Sequence, residues 1–559
     1  MTPTTTPPAP GAAFQDRRIR LLAAGLALLY LWFVSAQPVI GLAHSAHDDE
    51  LFLRLAEYIV SGQWLGPYDQ YTLMKGCGYP LFIAGAFQLD LPLPVAEHGF
   101  YLLGCWLVVR ALRPLLPNDR WSFATFALLV WQPMSYYVDH GGGNVLRQNL
   151  YTPLTLLIFA GLIALYTRRH SGAAARLGWA ALLGLGAGWL WLTREESVWI
   201  MPSAALLVAV TAGFFWREQI AWSRLAGPLA LATAVALAPV LTVCSLNAKY
   251  YGWFGTVEFR APQFVAAYGA LSRVQAVPPV DRVPLPRESR RAIYTVSPAF
   301  ARLQPLLEGD LGTHWVGPKL QFGGGLWMWA LRDAVILTLH PRNAAETLAF
   351  YRQVADEVNA ACDAGRLPAG PRHDSFLPAW SSHYATSLRQ ELPSYLRLFV
   401  LFENFNARFP RSSGTAPELR LFRDLTHAQL APDDNAPEIA TPRAWAARVW
   451  RIGALHDIGR TVRWICVAAT AAGLVAWLGV ALRALWRRRA PDYLWWLASA
   501  ALGGALVVFT ISLLVDVTSW PDWRPLRFSQ AYPLLVLFSA TALAAWWRGI
   551  SFQNPASSD

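Results

Sequence analysis

Residues 225–246 read LAGPLALATAVALAPVLTVCSL, a stretch without a single charged side chain. A membrane-spanning helix needs about 20 consecutive, mainly apolar residues, so this stretch is long enough to cross a bilayer. Similar runs recur along the chain and predict ten spanning helices, at about 21–42, 94–112, 121–138, 150–167, 177–193, 197–215, 225–246, 463–482, 493–515 and 528–547. We therefore expect an all-α polytopic membrane protein.

The overall composition agrees with a membrane protein. Of the 559 residues, 54% are apolar and only 15% are charged, whereas about 25% charged residues is usual in soluble domains. This apolar content also excludes a disordered chain. The formal net charge of +11 would by itself permit nucleic-acid binding. Whether it indicates such binding or the orientation of the chain in a membrane depends on where the basic residues lie.

Arginines are concentrated in every second connection: before the first predicted span, between spans 2 and 3, 4 and 5, 6 and 7, and 8 and 9, and after the tenth. Loops rich in basic residues face the cytoplasm, which places both termini inside. The cytoplasmic segments then account for the whole net charge, and we expect no nucleic-acid partner.

The apolar segment 79–91 is too short to span the bilayer, and counting it as a span would invert the predicted orientation of every later loop. We predict that it is a helix lying at the outer membrane interface.

The predicted spans divide the chain into three parts. Residues 1–246 form a membrane module of seven spans, with an outer loop at 43–93 that we call loop one. Residues 247–462 form a hydrophilic extracytoplasmic domain, and residues 463–559 hold three further spans. We expect the middle part to be mainly helical, because it contains stretches with apolar residues at three- and four-residue spacing. These stretches are 343–364 and 383–402.

Loop one begins with three consecutive acidic residues within HSAHDDELF, at 44–52. Asp48 or Asp49 can act as a general base on a hydroxyl group. Both can also bind a divalent cation, with His47 as a further ligand. The alternative is structural, because Asp48 precedes an apolar-periodic stretch at 51–60, where an acidic side chain favours a helix start. The residues by themselves leave both roles open.

The run KGCGYP at 75–80 also belongs to loop one. Lys75 is one of only three lysines in the chain, and a compact positive charge beside glycines can bind a phosphate group. Its alternative role is to extend along the membrane interface until it reaches water. Tyr79 is a further candidate site residue. Cys77 and Cys362 lie in polar segments, so a disulfide between them is a second open question.

Further polar groups on the predicted outer face are candidates for the same site. They lie in the hairpin 193–196 between two spans, in the loop 139–149 that we call loop two, and just before the last span. Ionisable residues so close to a bilayer are costly and tend to be functional. Arginine outside also departs from the general charge distribution and indicates an anionic ligand. The candidates are Arg194, Glu195, Asp139, His140 and Arg527.

Taken in order, these motifs resemble those of the GT-C superfamily of glycosyltransferases, polytopic enzymes that use polyprenyl-phosphate-linked sugars, and within it the ArnT and protein mannosyltransferase-like group. An acidic pair follows the first span, and a Lys-containing run precedes an interfacial helix. A Leu-Thr-Arg hairpin is followed by an apolar run with Pro, and the last span opens with Arg and an aromatic residue. These residues are Asp48-Asp49, Lys75 to Pro80, Leu192-Thr193-Arg194 with Pro202, and Arg527-Phe528 with Pro533.

The resemblance implies the chemistry of the site. Asp48 would be the catalytic base, with Asp49 beside it, in an inverting displacement that passes the sugar to an acceptor hydroxyl. Lys75, Arg194 and Arg527 would stabilise the negative charge on the departing polyprenyl phosphate. Some members of the superfamily use a divalent metal and others do not, so the resemblance leaves metal dependence open.

We expect such an enzyme in the bacterial inner membrane, with its active face outside the cytoplasm and a glycan, a lipid or a protein as acceptor. Two other functions fit the same sequence: a transporter or flippase of a lipid-linked saccharide, and a non-catalytic envelope assembly protein. Transporters favour inverted repeats and binding sites at the bilayer midplane. Here the ionisable residues cluster at the predicted outer surface instead, so we rank the glycosyltransferase first.

Overall fold

The structure is a computed structural model. It describes residues 13–43, 45–136, 143–194, 197–278, 280–373, 375–376, 380, 382–402, 411–432, 442–519 and 527–551. Across these ranges the chain forms helices and no named strand, and extended segments meet only in isolated bridges. The all-α fold class predicted from the apolar runs is therefore confirmed.

The first part of the chain is a bundle built around one central helix. In the helix at 148–167, 17 of the 20 residues are buried, because helices pack on it from several sides, whereas only 7 of the 29 residues of the helix at 223–251 are buried. The helices are α1 (Arg17–Val34), α2 (Asp49–Val60), α3 (Gly78–Gln88), α4 (Leu93–Leu112), α5 (Asp119–Trp131), α6 (Gln148–Thr167), α7 (Ala173–Thr193), α8 (Met201–Arg217) and α9 (Ser223–Tyr251).

Seven helices in the described residues are long and apolar enough to cross a membrane, and they coincide with seven of the ten predicted spans. The predicted spans 21–42, 121–138 and 528–547 are also helical, but two of these helices end early. α1 ends at Val34, because the chain beyond Pro38 runs extended beside residues 411–432. α5 ends at Trp131, because Pro133 follows closely and proline disfavours a continuing helix.

A compact set of helices follows α9, which we call the outer unit (residues 253–373). Its core is apolar and aromatic, with Phe264, Trp327 and Tyr351 almost fully buried. The helices are α10 (Pro262–Ser272), α11 (Arg287–Tyr294), α12 (Pro298–Ala301), α13 (Gln304–Leu307), α14 (Asp310–Val316), α15 (Gly324–Leu339) and α16 (Ala344–Asp363). The predicted amphipathic stretch 343–364 is therefore one helix of this unit.

The second predicted stretch, 383–402, is also a helix, but it packs on the membrane bundle. This helix, α17 (Ser382–Leu401), places Phe399 with its ring centroid 5.0 Å from that of Phe509. Another helix, α18 (Ala416–Thr426), packs on α2 and α3. The predicted extracytoplasmic region thus contains the outer unit and a second segment that joins the core of the bundle.

The last helices are α19 (Pro442–Trp486), α20 (Tyr493–Thr518) and α21 (Ala531–Ser551). α19 begins at Pro442, about six helical turns before the predicted boundary at 463. At 1.5 Å per residue its 45 residues extend roughly 70 Å, far more than a bilayer core. Its first part is therefore not needed to cross a bilayer; there Trp450 and Arg451 contact Trp32 of α1.

The cysteines settle one open question. All five are buried and free, including Cys77 and Cys362. The disulfide considered for this pair is therefore not formed. The predicted interfacial segment 79–91 is helical as far as Gln88, as part of α3, while its position at the membrane interface stays a prediction.

Candidate functional site

Asp48 stands at the start of α2 without capping it. It occupies the position before the first helical residue, yet its side chain accepts no hydrogen bond from the helix amides, and its φ and ψ of −134° and −100° are neither helical nor extended. The side chain is 59% exposed and forms an ion pair with Lys75. The helix-capping alternative for Asp48 is therefore wrong, and its carboxylate is accessible to a substrate.

Lys75 points into the protein and not along a membrane surface. Its side chain is only 10% exposed. Its Nζ lies 5.1 Å from the ring centroid of Phe52 and 5.7 Å from that of Trp329. Aromatic faces attract an ammonium group, and their low polarity strengthens its attraction to Asp48. The snorkelling alternative for Lys75 is therefore wrong.

Two glycines bring Lys75 close to the end of α7. A Cβ at Gly76 would collide with the backbone oxygen of Leu192, and a Cβ at Gly78 would lie 2.5 Å from Thr193 Oγ1. The indole Nε1 of Trp189 also donates to the carbonyl oxygen of Gly78 at 3.1 Å. Only residues without a side chain allow this approach. The glycines of the run 75–80 thus hold loop one against the residue that precedes Arg194.

Arg194 and the start of the last membrane segment converge on Tyr151. The Arg194 guanidinium lies 4.7 Å from the ring centroid of this fully buried tyrosine. From the other side, Ser529 Oγ donates to the Tyr151 hydroxyl at 3.3 Å. Ser529 follows Arg527 by two residues, so the segment that carries Arg527 reaches Tyr151. Phosphate binding by Arg194 and Arg527 stays a prediction.

Asp49 is buried and contacts loop two. It is 2% exposed, and its Oδ1 accepts the backbone N–H of Val145 at 3.0 Å. Burial raises the pKa of the Asp49 carboxyl well above its usual value, and the neighbouring charge of Asp48 raises it further. The geometry gives Asp49 a role in holding the two loops together, and its predicted catalytic role remains untested.

Tyr79 joins the same two loops through a carboxyl that we did not single out from the sequence. The Tyr79 hydroxyl donates to Glu97 Oε1 at 2.5 Å, and Asn149 Nδ2 donates to Glu97 Oε2 at 3.1 Å. Asn149 also donates to the carbonyl oxygen of Asn144. The sequence could have indicated Glu97 as a candidate, because it is an acidic residue inside the second apolar run.

A buried ion pair attaches loop one to the outer unit. Arg332 and Glu258 are both fully buried, and Arg332 Nη1 donates to Glu258 Oε2 at 2.6 Å. The same nitrogen donates to the Tyr68 hydroxyl at 3.0 Å, and Nη2 donates to the carbonyl oxygen of Asp69 at 3.0 Å. The Tyr68 hydroxyl in turn donates to Glu258 Oε1 at 2.8 Å. No short motif marks this network, because its members are far apart in sequence.

His47 packs among aromatic rings of both loop one and the outer unit. Its Nε2 lies 3.8 Å from Asp333 Oδ2, which is too long for a hydrogen bond. Within the described residues, no group of three or more His, Cys, Asp or Glu side chains is arranged to hold a metal ion. The arrangement of His47, Asp48 and Asp49 therefore gives no support to the predicted metal site.

Three predicted site residues lie outside the described residues. They are Asp139, His140 and Glu195. Their predicted roles stay as the sequence left them.

Part of this chain is similar to a curated glycosyltransferase. The relative is undecaprenyl phosphate-alpha-4-amino-4-deoxy-L-arabinose arabinosyl transferase 2 from Pseudomonas fluorescens (strain Pf0-1), which is 28% identical over 210 residues. The match spans 35% of this chain and 36% of the relative, about a third of each. No family model matches the chain.

Solved structures of two transferases align with most of the chain at low identity. ArnT from Cupriavidus metallidurans bound to undecaprenyl phosphate is 11% identical, with 95% of this chain and 78% of that chain covered and a TM-score of 0.32. The archaeal oligosaccharyltransferase AglB from Archaeoglobus fulgidus, in complex with an inhibitory peptide and a dolichol-phosphate, is also 11% identical. It is covered to 53%, against 97% of this chain, with a TM-score of 0.38.

The sequence match and the apolar helices together confirm the predicted resemblance. The chain is a polytopic helical membrane protein that is similar, over about a third of its length, to an undecaprenyl phosphate sugar transferase. The enzyme class predicted from the short motifs is the class of the matched relative.

Proposed function

We propose that this protein transfers a sugar from a polyprenyl-phosphate-linked donor to an acceptor hydroxyl at the extracytoplasmic face of the bacterial inner membrane. The acceptor would be an envelope glycan, a lipid or a protein. The sequence similarity to an undecaprenyl phosphate sugar transferase supports the donor class. The asymmetry of arginine between the loops supports the orientation.

The geometry of Asp48 is the observation on which the proposal depends. An aspartate at a helix start usually caps the helix, but this one pairs with Lys75 and remains more than half exposed. A carboxylate that is held by a cation and accessible from solvent is suited to accept a proton from a substrate. The alternative transporter function would not require such a group.

In the proposed reaction, an acceptor hydroxyl gives its proton to the Asp48 carboxylate while its oxygen attacks the anomeric carbon of the donor sugar. The bond between that carbon and the phosphate oxygen breaks, and the phosphate departs with the electron pair. Inversion follows because the two oxygens lie on opposite sides of the carbon. Fixed positive charges stabilise the charge that develops on the leaving phosphate, and Lys75, Arg194 and Arg527 are the proposed donors.

Lys75 has two tasks in this scheme. Without substrate it forms an ion pair with the Asp48 carboxylate and so restricts the position of that side chain. With donor bound, the close packing of Gly76 and Gly78 against the end of α7 lets Lys75 share the phosphate with Arg194. A lysine can serve both partners because its ammonium group presents three rotatable donors.

The test compares wild type with Asp48→Asn in proteoliposomes supplied with labelled polyprenyl-phosphate sugars and an extract of envelope acceptors. We expect donor-dependent transfer by the wild type and a loss of about 10²- to 10⁴-fold for the variant, the usual contribution of a positioned base. Asp90→Asn is the matched control, because Asp90 is an exposed aspartate of the same loop whose side chain is 94% exposed.

Three results would contradict parts of the proposal. Transfer that survives Asp48→Asn would refute the base assignment. No transfer by the wild type with any donor would refute the assignment of this protein as a glycosyltransferase. A labelled saccharide that crosses the bilayer unchanged would favour a flippase instead.

A further inference from the structure

The imidazole of His47 is enclosed by three aromatic rings from two parts of the chain. Its ring centroid lies 4.4 Å from that of Trp329, 4.7 Å from that of Trp315 and 5.2 Å from that of Tyr71. Tyr71 belongs to loop one, whereas Trp315 lies on α14 and Trp329 on α15 of the outer unit. We call these three rings the aromatic clamp.

Packing, and not a hydrogen bond, holds the imidazole in the clamp. His47 Nε2 is buried without a hydrogen-bond partner among the described residues, and the nearest carboxylate oxygen, on Asp333, is 3.8 Å away. Asp333 Oδ2 accepts instead from Trp315 Nε1 at 3.2 Å, which orients that indole against the imidazole. Aromatic pairs at these separations each contribute about 0.5–1.5 kcal/mol beyond their buried area.

The clamp lies beside the proposed base. His47 directly precedes Asp48, which has no hydrogen bond to the helix that would hold its side chain. Trp329 also contacts Lys75, at 5.7 Å from Nζ to the ring centroid. One indole therefore touches both the residue before Asp48 and the cation that pairs with Asp48. Movement of the outer unit would displace both at once.

We propose that His47 is a positioning residue, and that the aromatic clamp, with its two indoles from the outer unit, fixes the Asp48 carboxylate through His47. The outer unit then completes the active site and is more than a docking module. This inference rests on the proposed function of Asp48. It assigns to Trp315 and Trp329 a function in the transfer step without contact between them and the reacting atoms.

The test uses His47→Ala, which empties the clamp, and His47→Phe, which refills it with a ring that lacks nitrogen. We expect His47→Ala to lower kcat about 100-fold, the effect of a displacement near 1 Å, with the donor KM within about threefold. We expect His47→Phe to keep most of the activity, because packing holds the clamp. Trp315→Ala should behave like His47→Ala. His373→Ala is the control, since His373 lies elsewhere in the outer unit, hydrogen-bonded to Ser272.

Amide hydrogen exchange of residues 45–52 in the full-length protein provides a readout that does not depend on activity. Exchange should accelerate in His47→Ala and Trp315→Ala and stay near wild type in His47→Phe and His373→Ala. Equal exchange in wild type and His47→Ala would overturn the inference whether or not transfer is detected. Normal kcat in His47→Ala would overturn it while leaving the proposed function intact. Loss in His47→Phe equal to that in His47→Ala would show that the nitrogens matter, and would also overturn it.

Discussion

Replacing Arg332 by Met should detach loop one from the outer unit. Arg332 is fully buried, and its guanidinium donates to Glu258, to Tyr68 and to the backbone of Asp69. Met is similar in length but offers neither charge nor donors. The substitution therefore leaves the Glu258 carboxyl, which is also fully buried, without its cation.

The expected cost follows from that uncompensated charge. Removing one partner of a buried ion pair costs about 3–5 kcal/mol, because the remaining charge is neither hydrated nor paired. At 1.36 kcal/mol for each factor of ten, the open population of the outer unit should rise roughly 100- to 5000-fold. Hydrogen exchange of the amides around Tyr68 and Glu258 measures this population directly.

The loss of stability caused by Arg332→Met, which we call the deficit, should also depend on pH. Burial already raises the pKa of Glu258 above its usual value, against the opposing effect of Arg332. Without Arg332 the pKa rises further. A carboxyl with a higher pKa in the folded state than in the unfolded state stabilises the fold at low pH, and this stability is lost as the pH rises through the folded pKa. The deficit of Arg332→Met should therefore be larger at pH 8 than at pH 5.

A second substitution separates the charge from the packing. Adding Glu258→Gln to Arg332→Met removes the buried charge. The double variant should regain much of the protection from hydrogen exchange, because a neutral pair avoids most of the desolvation cost. A deficit of Arg332→Met below about 1 kcal/mol, or one that is equal at pH 5 and pH 8, would refute the reasoning.

Three further predictions concern the contacts between the loops. Gly78→Ala should lower the transfer rate and the thermal unfolding midpoint, since its methyl group would collide with α7, whereas Gly85→Ala on the same helix meets open space and should change neither. Asp49→Asn should retain transfer within about tenfold, because an amide oxygen still accepts the loop two N–H; a loss equal to that of Asp48→Asn would give Asp49 a part in proton transfer. Tyr79→Phe should cost about 1–3 kcal/mol of stability, because it removes one of the two donors to the buried Glu97 carboxyl on α4 and leaves Oε1 without a partner, and an unchanged unfolding midpoint would contradict this contact.

Much of the fold could be read from local patterns. Apolar runs predicted the membrane helices, because a helix that crosses lipid must be apolar along its whole length. Helix ends were less accurate where a neighbour intervenes. The amphipathic first part of α19 carries no span signal, yet it is helical where it packs on α1 and α17. Likewise, 383–402 was correctly predicted as a helix, but its packing on the membrane bundle depends on aromatic partners far along the chain.

Short motifs identified the acidic pair, the lysine and the arginines of the candidate site, because unusual charges next to apolar runs are visible in the sequence. Short motifs could not distinguish the roles of two residues that are adjacent in the sequence. Asp48 and Asp49 are adjacent, yet one is exposed beside Lys75 and the other is buried against loop two. The direction of each side chain depends on what packs around it.

The sequence by itself therefore determined that this is a polytopic helical membrane protein and predicted that its polar groups lie at one face, because both conclusions rest on residues that are close along the chain. The tertiary structure decided how those groups are held. The ion pair of Arg332 with Glu258, the bond of Tyr79 to Glu97 and the clamp on His47 each join residues from separate segments. Such contacts depend on which surfaces meet when the chain packs, and no local pattern of charge or hydropathy records them.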